Sequence, residues 1–264
     1  MKISAIVLSK KPDLNHLLLE SLSFVDEILI IVDLAPPTQL RHCEAGNLPA
    51  GRSKMPCTHG QVSPHQKTKI FYHPLNNDFS SQRNFGLQKA KGDWVLFVDD
   101  DEYVGTELKR EIIEAINLNQ YSGFILTRQD LVFHQPLRHG ETGNTKILRL
   151  AKRTAGKFVR PVHERWGIKG RVGELSSPLY HTKDGFVSEF ISRMDSYGQI
   201  DSKSLKSDGK PFSWFRLMVY PIAKFKLNYF FRAGFLDGSA GLFQAYLMAV
   251  QSLSTRVFQW ENEN

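Results

Sequence analysis

Four consecutive carboxylates, Asp99, Asp100, Asp101 and Glu102, follow the apolar run "WVLFV" with no turn residue between. Alternate residues of an extended segment share a face, so Asp99 and Asp101 can converge while Asp100 points the other way. Converging carboxylates repel, and one is driven toward its protonated form unless a cation sits between them. A hard divalent ion, Mg²⁺ or Mn²⁺, accepts such oxygen ligands and keeps places for substrate phosphates. The competing reading is a solvated acidic turn in which Asp100 and Glu102 cap the next helix.

The elements that must position this cluster are legible as alternating patterns. "ISAIVLS" (3–9) and "DEILIIVD" (26–33) are apolar, β-branched runs of the kind that form strands buried on both faces. Between them "DLNHLLLESLSFV" has leucines at helical spacing, with Asp13 behind Pro12 as the expected N-cap. Strand, helix and strand within about thirty residues make a βαβ unit with parallel strands and a right-handed crossover. "KIFYHP" reads as a third strand. "SSQRNFGLQKAKG" reads as a helix capped by Ser80 or Ser81 with Gly92 past its end, and "DWVLFVD" as a fourth strand. "GTELKREIIEAINLN" is an amphipathic helix and "GFILTRQDLVF" another strand. The alternation predicts the α/β class, and in an open parallel sheet ligands bind beyond the carboxyl ends of the strands, where the acidic cluster falls.

The 264 residues suit one large α/β domain with appendages, and 41% hydrophobic with 23% charged residues is enough for a sizeable core. The formal net charge of +7 favours an anionic partner: nucleic acid, acidic lipid or a phosphorylated metabolite. Two cysteines, Cys43 and Cys57, give no disulfide framework and point to a reducing compartment, and "MKISAIVLSKK" lacks a cleavage site and reads as a first strand. Residues 35–69 show no periodicity and are expected to be a surface excursion. Its His42, Cys43, Cys57, His59 and His65 lack the close pairing of a zinc site and are read as incidental.

The sequence resembles the family 2 glycosyltransferases, and in particular their bacterial subgroup related to lipopolysaccharide core biosynthesis. The resemblance rests on "ISAIVLSK", "SLSFVDEILIIVD", "NDFSSQRNFGLQKAKGDWVLFVDDDEYV", "LRL" (148–150), "VHERW" (162–166) and "FRAGFLDGSAGL". It implies a GT-A fold, with a mostly parallel central sheet flanked by helices in residues 1–185 and an amphipathic helical extension in 186–264. It also implies that Asp99 and Asp101, the DxD pair, hold a divalent cation and the diphosphate of a nucleotide-sugar. Asp33 would contact the nucleobase, with Ser9, Arg83 and Asp100 beside the donor. Two departures fall on the nucleoside side: Lys11 and Pro12 replace the usual Asn-Glu, and "DLAPPTQ" keeps only Asp33 of an Asp-Ser-x-Ser-x-Asp loop.

Sugar transfer from a nucleoside diphosphate needs charge stabilisation on the leaving diphosphate and a base for the acceptor hydroxyl. "VHERW" offers Glu164 as that base, with His163 as a third metal ligand or diphosphate contact. The plainer alternative is a loop salt bridge from Glu164 to Arg160 or Arg165. Asp130 and Glu141 are rival bases, and Arg83 has the plainer reading of an exposed helical residue. The final segment, Trp214 to Leu253, mixes aromatics with Lys and Arg, and no run of about twenty apolar residues survives uninterrupted. It reads as an interfacial anchor on an anionic membrane, Ala233 to Leu253 entering most deeply, or as a helical subdomain packing its aromatics internally or on a second protomer. The expected enzyme is a metal-dependent, inverting glycosyltransferase of the cell envelope. Its partners would be a nucleotide-sugar donor and a glycan or lipid-linked acceptor, not nucleic acid, with the enzyme peripheral at the cytoplasmic face of the membrane. The alternatives are a catalytically impaired binding relative and a nucleotidyltransferase, though "SKKPDL" lacks the glycine-rich phosphate loop the latter would carry.

Overall fold

The computed structural model describes residues 1–34, 67–76, 78–142, 145–160, 164–182 and 186–263. The strands are β1 (Ile3–Ser9), β2 (Glu27–Val32), β3 (Thr68–Tyr72), β4 (Trp94–Asp99), β5 (Glu102–Val104), β6 (Gly123–Val132), β7 (Gln135–Pro136), β8 (Thr145–Lys152), β9 (Gly156–Val159), β10 (Arg165–Ile168) and β11 (Val172–Thr182). The helices are α1 (His16–Ser21), α2 (Phe79–Lys89), α3 (Thr106–Leu118), α4 (Phe186–Ser207), α5 (Trp214–Lys226) and α6 (Gly238–Glu261), with a π-helical turn (Leu227–Phe231) and a 3₁₀ turn (Gly234–Asp237) between the last two. The chain divides into two compact units, residues 1–127 with 146–179, and residues 128–145 with 180–264.

The strand order is β3-β2-β1-β4-β8-β6-β11-β5, with β7 pairing the end of β6 in residues of the second unit; β9 and β10 form a separate antiparallel ribbon. The pairs β2–β3, β1–β2 and β1–β4 are parallel, and β8 then joins antiparallel, with Trp94 opposite Lys152 and Leu96 opposite Leu150. The sheet is therefore mixed, with the expected parallel half carrying the βαβ crossovers. Side chains alternate between two cores. Ala5, Val7, Ile28, Ile30, Leu96 and Val98 face one side, where α3 adds Leu108, Ile112 and Ile116 at four-residue spacing. Ile6, Leu29, Ile31, Val95 and Phe97 face the other, against Leu87, Phe158 and Trp166. Burial on both faces explains the unbroken apolar runs; each fully buried Leu or Ile contributes about 1.5–3 kcal/mol.

Helix α2 lies close on the sheet because Gly86 permits it: a Cβ there would meet Ile6 Cγ2 at 2.8 Å. Its buried face is polar toward the start, with Ser80, Gln82 and Arg83, and apolar only at Leu87. Two helix starts differ from the sequence expectation. Asn15 rather than Asp13 caps α1, accepting from the Leu17 amide at 3.0 Å, and Asp78 rather than a serine caps α2, accepting from the Ser81 amide at 2.9 Å. Both are short acceptors a few residues from the expected one; Ser80 is diverted to the carbonyl of Arg160.

In the second unit α6 packs against both α4 and α5. Val132 and Leu137 form a small core with Ala240 and Leu247. Asp237 is only 4% exposed: its carboxylate accepts from the Arg138 and His139 amides at 2.9 and 2.8 Å and meets His139 Nδ1 at 2.7 Å. Among the described residues no helix is long and apolar enough to cross a membrane.

Candidate functional site

The acidic run begins at the last residue of β4 and turns at once into β5, so it does not cap α3, whose N-cap is Gly105. Glu102 is buried. Its Oε2 accepts from the Asp99 amide at 2.9 Å, closing the turn from inside. Arg149 reaches in from β8, the antiparallel neighbour of β4. Its Nη1 donates to Asp99 Oδ1 at 3.2 Å, its Nη2 to Asp99 Oδ2, and Nη2 also lies 3.4 Å from Glu102 Oε1. A forked guanidinium on a carboxylate is among the stronger ion-pair geometries. Burial alone would pull the Arg149 pKa down, yet Asp99 and Glu102 raise it above the ordinary arginine value.

A second guanidinium completes the cluster. Arg83, 6% exposed, donates from Nε to Glu164 Oε1 at 3.0 Å and from Nη2 to Asp99 Oδ1 at 3.4 Å. It lies over the Phe97 and Phe158 rings, 5.3 and 5.5 Å from their centroids, and Trp166 stacks on Phe158 at 4.9 Å. Arg83 is therefore not an exposed helical residue; it faces the end of β4 from the polar half of α2. Burial and then the neighbouring Arg149 lower its pKa, while Asp99 and Glu164 oppose that. Its Nη1 is buried and finds no hydrogen-bond partner among the described residues. An unmet buried donor costs about 1–3 kcal/mol.

The remaining expected residues divide by place. Ser9 and Asp100 are joined, the hydroxyl donating to Asp100 Oδ2 at 2.7 Å, which ties the end of β1 to the acidic run. Asp33, just past β2, accepts the Leu75 amide at 2.7 Å, and Asp101 is exposed. His163 lies outside the described residues, as do His42, Cys43, Cys57, His59 and His65. The rival bases belong to the second unit. Asp130 meets His181 Nδ1 at 2.7 Å, and Glu141 meets Lys224 Nζ at 2.6 Å.

For a divalent ion the donor set divides. Both oxygens of Asp99, read from sequence as a metal ligand, face guanidiniums, which suits an anchor rather than a direct ligand. Asp100 and Asp101 are the exposed carboxylates of the run, and Asp100 accepts from the Ser9 hydroxyl. Among the described residues no three His, Cys, Asp or Glu side chains gather into a metal-binding group.

Arg149 was missed in the residue-by-residue sequence reading. The signal was present in "LRL", since an arginine between leucines within a strand reaches burial only if it is paired. Glu27 was missed as well. It is buried and accepts from Ser4 Oγ at 2.7 Å, the Lys91 amide at 2.6 Å and Lys69 Nζ at 3.0 Å, joining β1 and β2 to the segment leading into β4.

Residues 58–161 match Glycosyl transferase family 2. Over 189 residues the chain is 25% identical to an uncharacterized glycosyltransferase of Rickettsia typhi, covering 65% of this chain and 63% of the relative, so it spans somewhat under two thirds of that protein's length. It is 22% identical over 195 residues to the lipopolysaccharide core biosynthesis glycosyltransferase LpsC of Rhizobium meliloti, covering 69% and 72% of the two chains. Among solved structures, that of S. aureus TarS in complex with UDP-GlcNAc is similar at a TM-score of 0.44 and 16% identity, over 70% of this chain and 59% of that one.

Proposed function

We propose that the chain, whose residues 58–161 match glycosyl transferase family 2, is an inverting, divalent-cation-dependent glycosyltransferase using a nucleotide-sugar donor. The observation that carries the reading is the group Asp99, Arg149, Arg83 and Glu164, gathered where β4 ends. Ligands of open parallel sheets bind outside the carboxyl ends of the strands. The unmatched Nη1 of Arg83 is suited to a donor diphosphate oxygen. Asp101, with His163 and the substrate phosphates, would hold the ion, which supplies charge stabilisation on the leaving diphosphate.

Glu164 is the base. Arg83 holds one of its oxygens at 3.0 Å and so fixes the orientation of the carboxylate. The acceptor hydroxyl oxygen attacks the anomeric carbon and the bond from that carbon to the diphosphate oxygen breaks. The electron pair leaves on the diphosphate and the hydroxyl proton passes to Glu164. A single displacement inverts the anomeric centre. The likeness to a lipopolysaccharide core enzyme supports a glycan or lipid-linked acceptor of the cell envelope, met at the cytoplasmic face of the membrane.

The test is a hydrolysis and binding screen of UDP-, GDP-, ADP- and dTDP-sugars with and without Mn²⁺. Asp101→Ala is expected to fold normally and lose metal-dependent donor binding. Glu164→Gln is expected to bind donor and fail to transfer. An Asp101→Ala protein that binds and turns over donor like the parent defeats the proposal.

A further inference from the structure

Helix α5 is a thirteen-residue segment, "WFRLMVYPIAKFK", and none of its residues is buried. Trp214, Phe215 and Met218 are 66–70% exposed, and Ile222 follows one turn on. Residues three and four apart share a helix face, so these side chains form one apolar stripe. The π-helical turn continues it, with Phe231 81% exposed.

Helix α6 carries a second stripe. Phe243, Tyr246, Val250, Leu253, Val257 and Trp260 recur at steps of three and four, each between 41% and 56% exposed. Aromatic contacts join the two stripes: Tyr246 lies 4.6 Å from Phe225, and Phe225 lies 6.4 Å from Phe230. An exposed apolar surface of this extent marks an interaction site on a protein that stays in solution.

Its charges select the partner. Across α5, the two turns and α6 the cations are Arg216, Lys224, Lys226, Arg232 and Arg256, and the carboxylates are Asp237, which is turned inward on His139, and Glu261 at the last residue of α6. Glu141 offsets Lys224 and Arg232, whereas Arg216 and Lys226 have no carboxylate partner among the described residues. A twofold contact with a second copy would place this positive surface against itself. Aromatic rings at headgroup depth with cations beside them match an anionic bilayer. The docking is lateral, as no described helix is long and apolar enough to span.

We infer that the α5 stripe, the π-helical turn and the α6 stripe form one membrane-docking surface selective for anionic phospholipid. The inference deepens the proposed function, since a lipid-linked acceptor would lie in the surface so engaged. Arg216 and Lys226 supply the selectivity, and Trp214, Phe215, Met218 and Ile222 the insertion.

The experiment is co-sedimentation of the whole chain with vesicles of phosphatidylcholine alone, or of phosphatidylcholine with phosphatidylglycerol. Binding is expected only to the anionic vesicles and should weaken with salt. Arg216→Ala and Lys226→Ala should each reduce it roughly fivefold at low ionic strength. The triple variant Trp214→Ser, Phe215→Ser, Met218→Ser should lose it while keeping its melting temperature, since those side chains face solvent. Absence of binding to anionic vesicles overturns the inference, and so does binding that survives the triple variant. A parent that sediments as a dimer and a triple variant that is monomeric, with no vesicle binding, assigns the surface to self-association instead. Donor hydrolysis measured without vesicles reports separately on the transferase reading.

Discussion

The end of β4 and the outer face of α5 are opposite solutions to placing difficult side chains. At the first, the carboxylates of Asp99, Glu102 and Glu164 and the guanidiniums of Arg149 and Arg83 are drawn together and paired in a largely buried setting. At the second, large apolar groups stand in solvent beside Arg216 and Lys226, which have no carboxylate partner among the described residues. Buried charges are tolerated only when paired, so the first region is fixed by the chain itself. Exposed apolar area is tolerated until a partner covers it, so the second depends on something outside the chain. Removing a side chain should therefore damage folding in the first region and leave it intact in the second.

The largest expected effect is Arg149→Met. It strands Asp99 and Glu102 without their main counter-charge and should cost about 3–5 kcal/mol in denaturant unfolding, with Arg149→Lys losing less. If Arg149→Met is as stable as the parent, the cluster is not what holds the turn. Next is Glu164→Gln, where transfer should fall by about 10² to 10⁴-fold at an almost unchanged donor affinity, measured by single-turnover kinetics and calorimetry. A third prediction concerns Glu27. Burial would raise its pKa, but the Lys91 amide, Ser4 and Lys69 together hold it below 4.5. A carboxylate depressed in this way contributes stability that is full above its unfolded value and is lost as pH falls toward the folded one. Melting temperature should fall as pH drops below about 4.5, and Glu27→Gln should flatten that decline; an unchanged acid limb would contradict it. The smallest effect belongs to the other region, where Ile222→Ser should change stability by no more than about 0.5 kcal/mol by thermal denaturation.

What could be read beforehand follows the same division. Strands β1, β2 and β4 and helix α3 were legible because their burial is written as unbroken apolar runs or as Leu108, Ile112 and Ile116 at helical spacing. The acidic run was legible as a candidate site because it ends such a strand. Its partners were harder to find: Arg149 lies 50 residues from Asp99 and Glu164 lies 81 from Arg83, and no local pattern encodes a pairing across strands. The antiparallel entry of β8 was invisible for the same reason, since direction is set by the path between strands rather than by composition. Helix caps slipped by two residues or more because Asp13 and Asn15, or Asp78 and Ser80, are chemically adequate for the same task. The aromatic and basic character of α5 was plain, while its lack of any buried residue emerged only from the fold.

The buried carboxylate of Glu102 has a consequence for how the motif can vary. It bridges a main-chain amide on one side and a guanidinium on the other. Aspartate carries the same charge on a stem shorter by one carbon and would fall short of one of them. Length, more than sign, is what this position demands, so a sequence reading Asp at 102 should loosen the loop and let Asp99 drift from the guanidiniums that hold it.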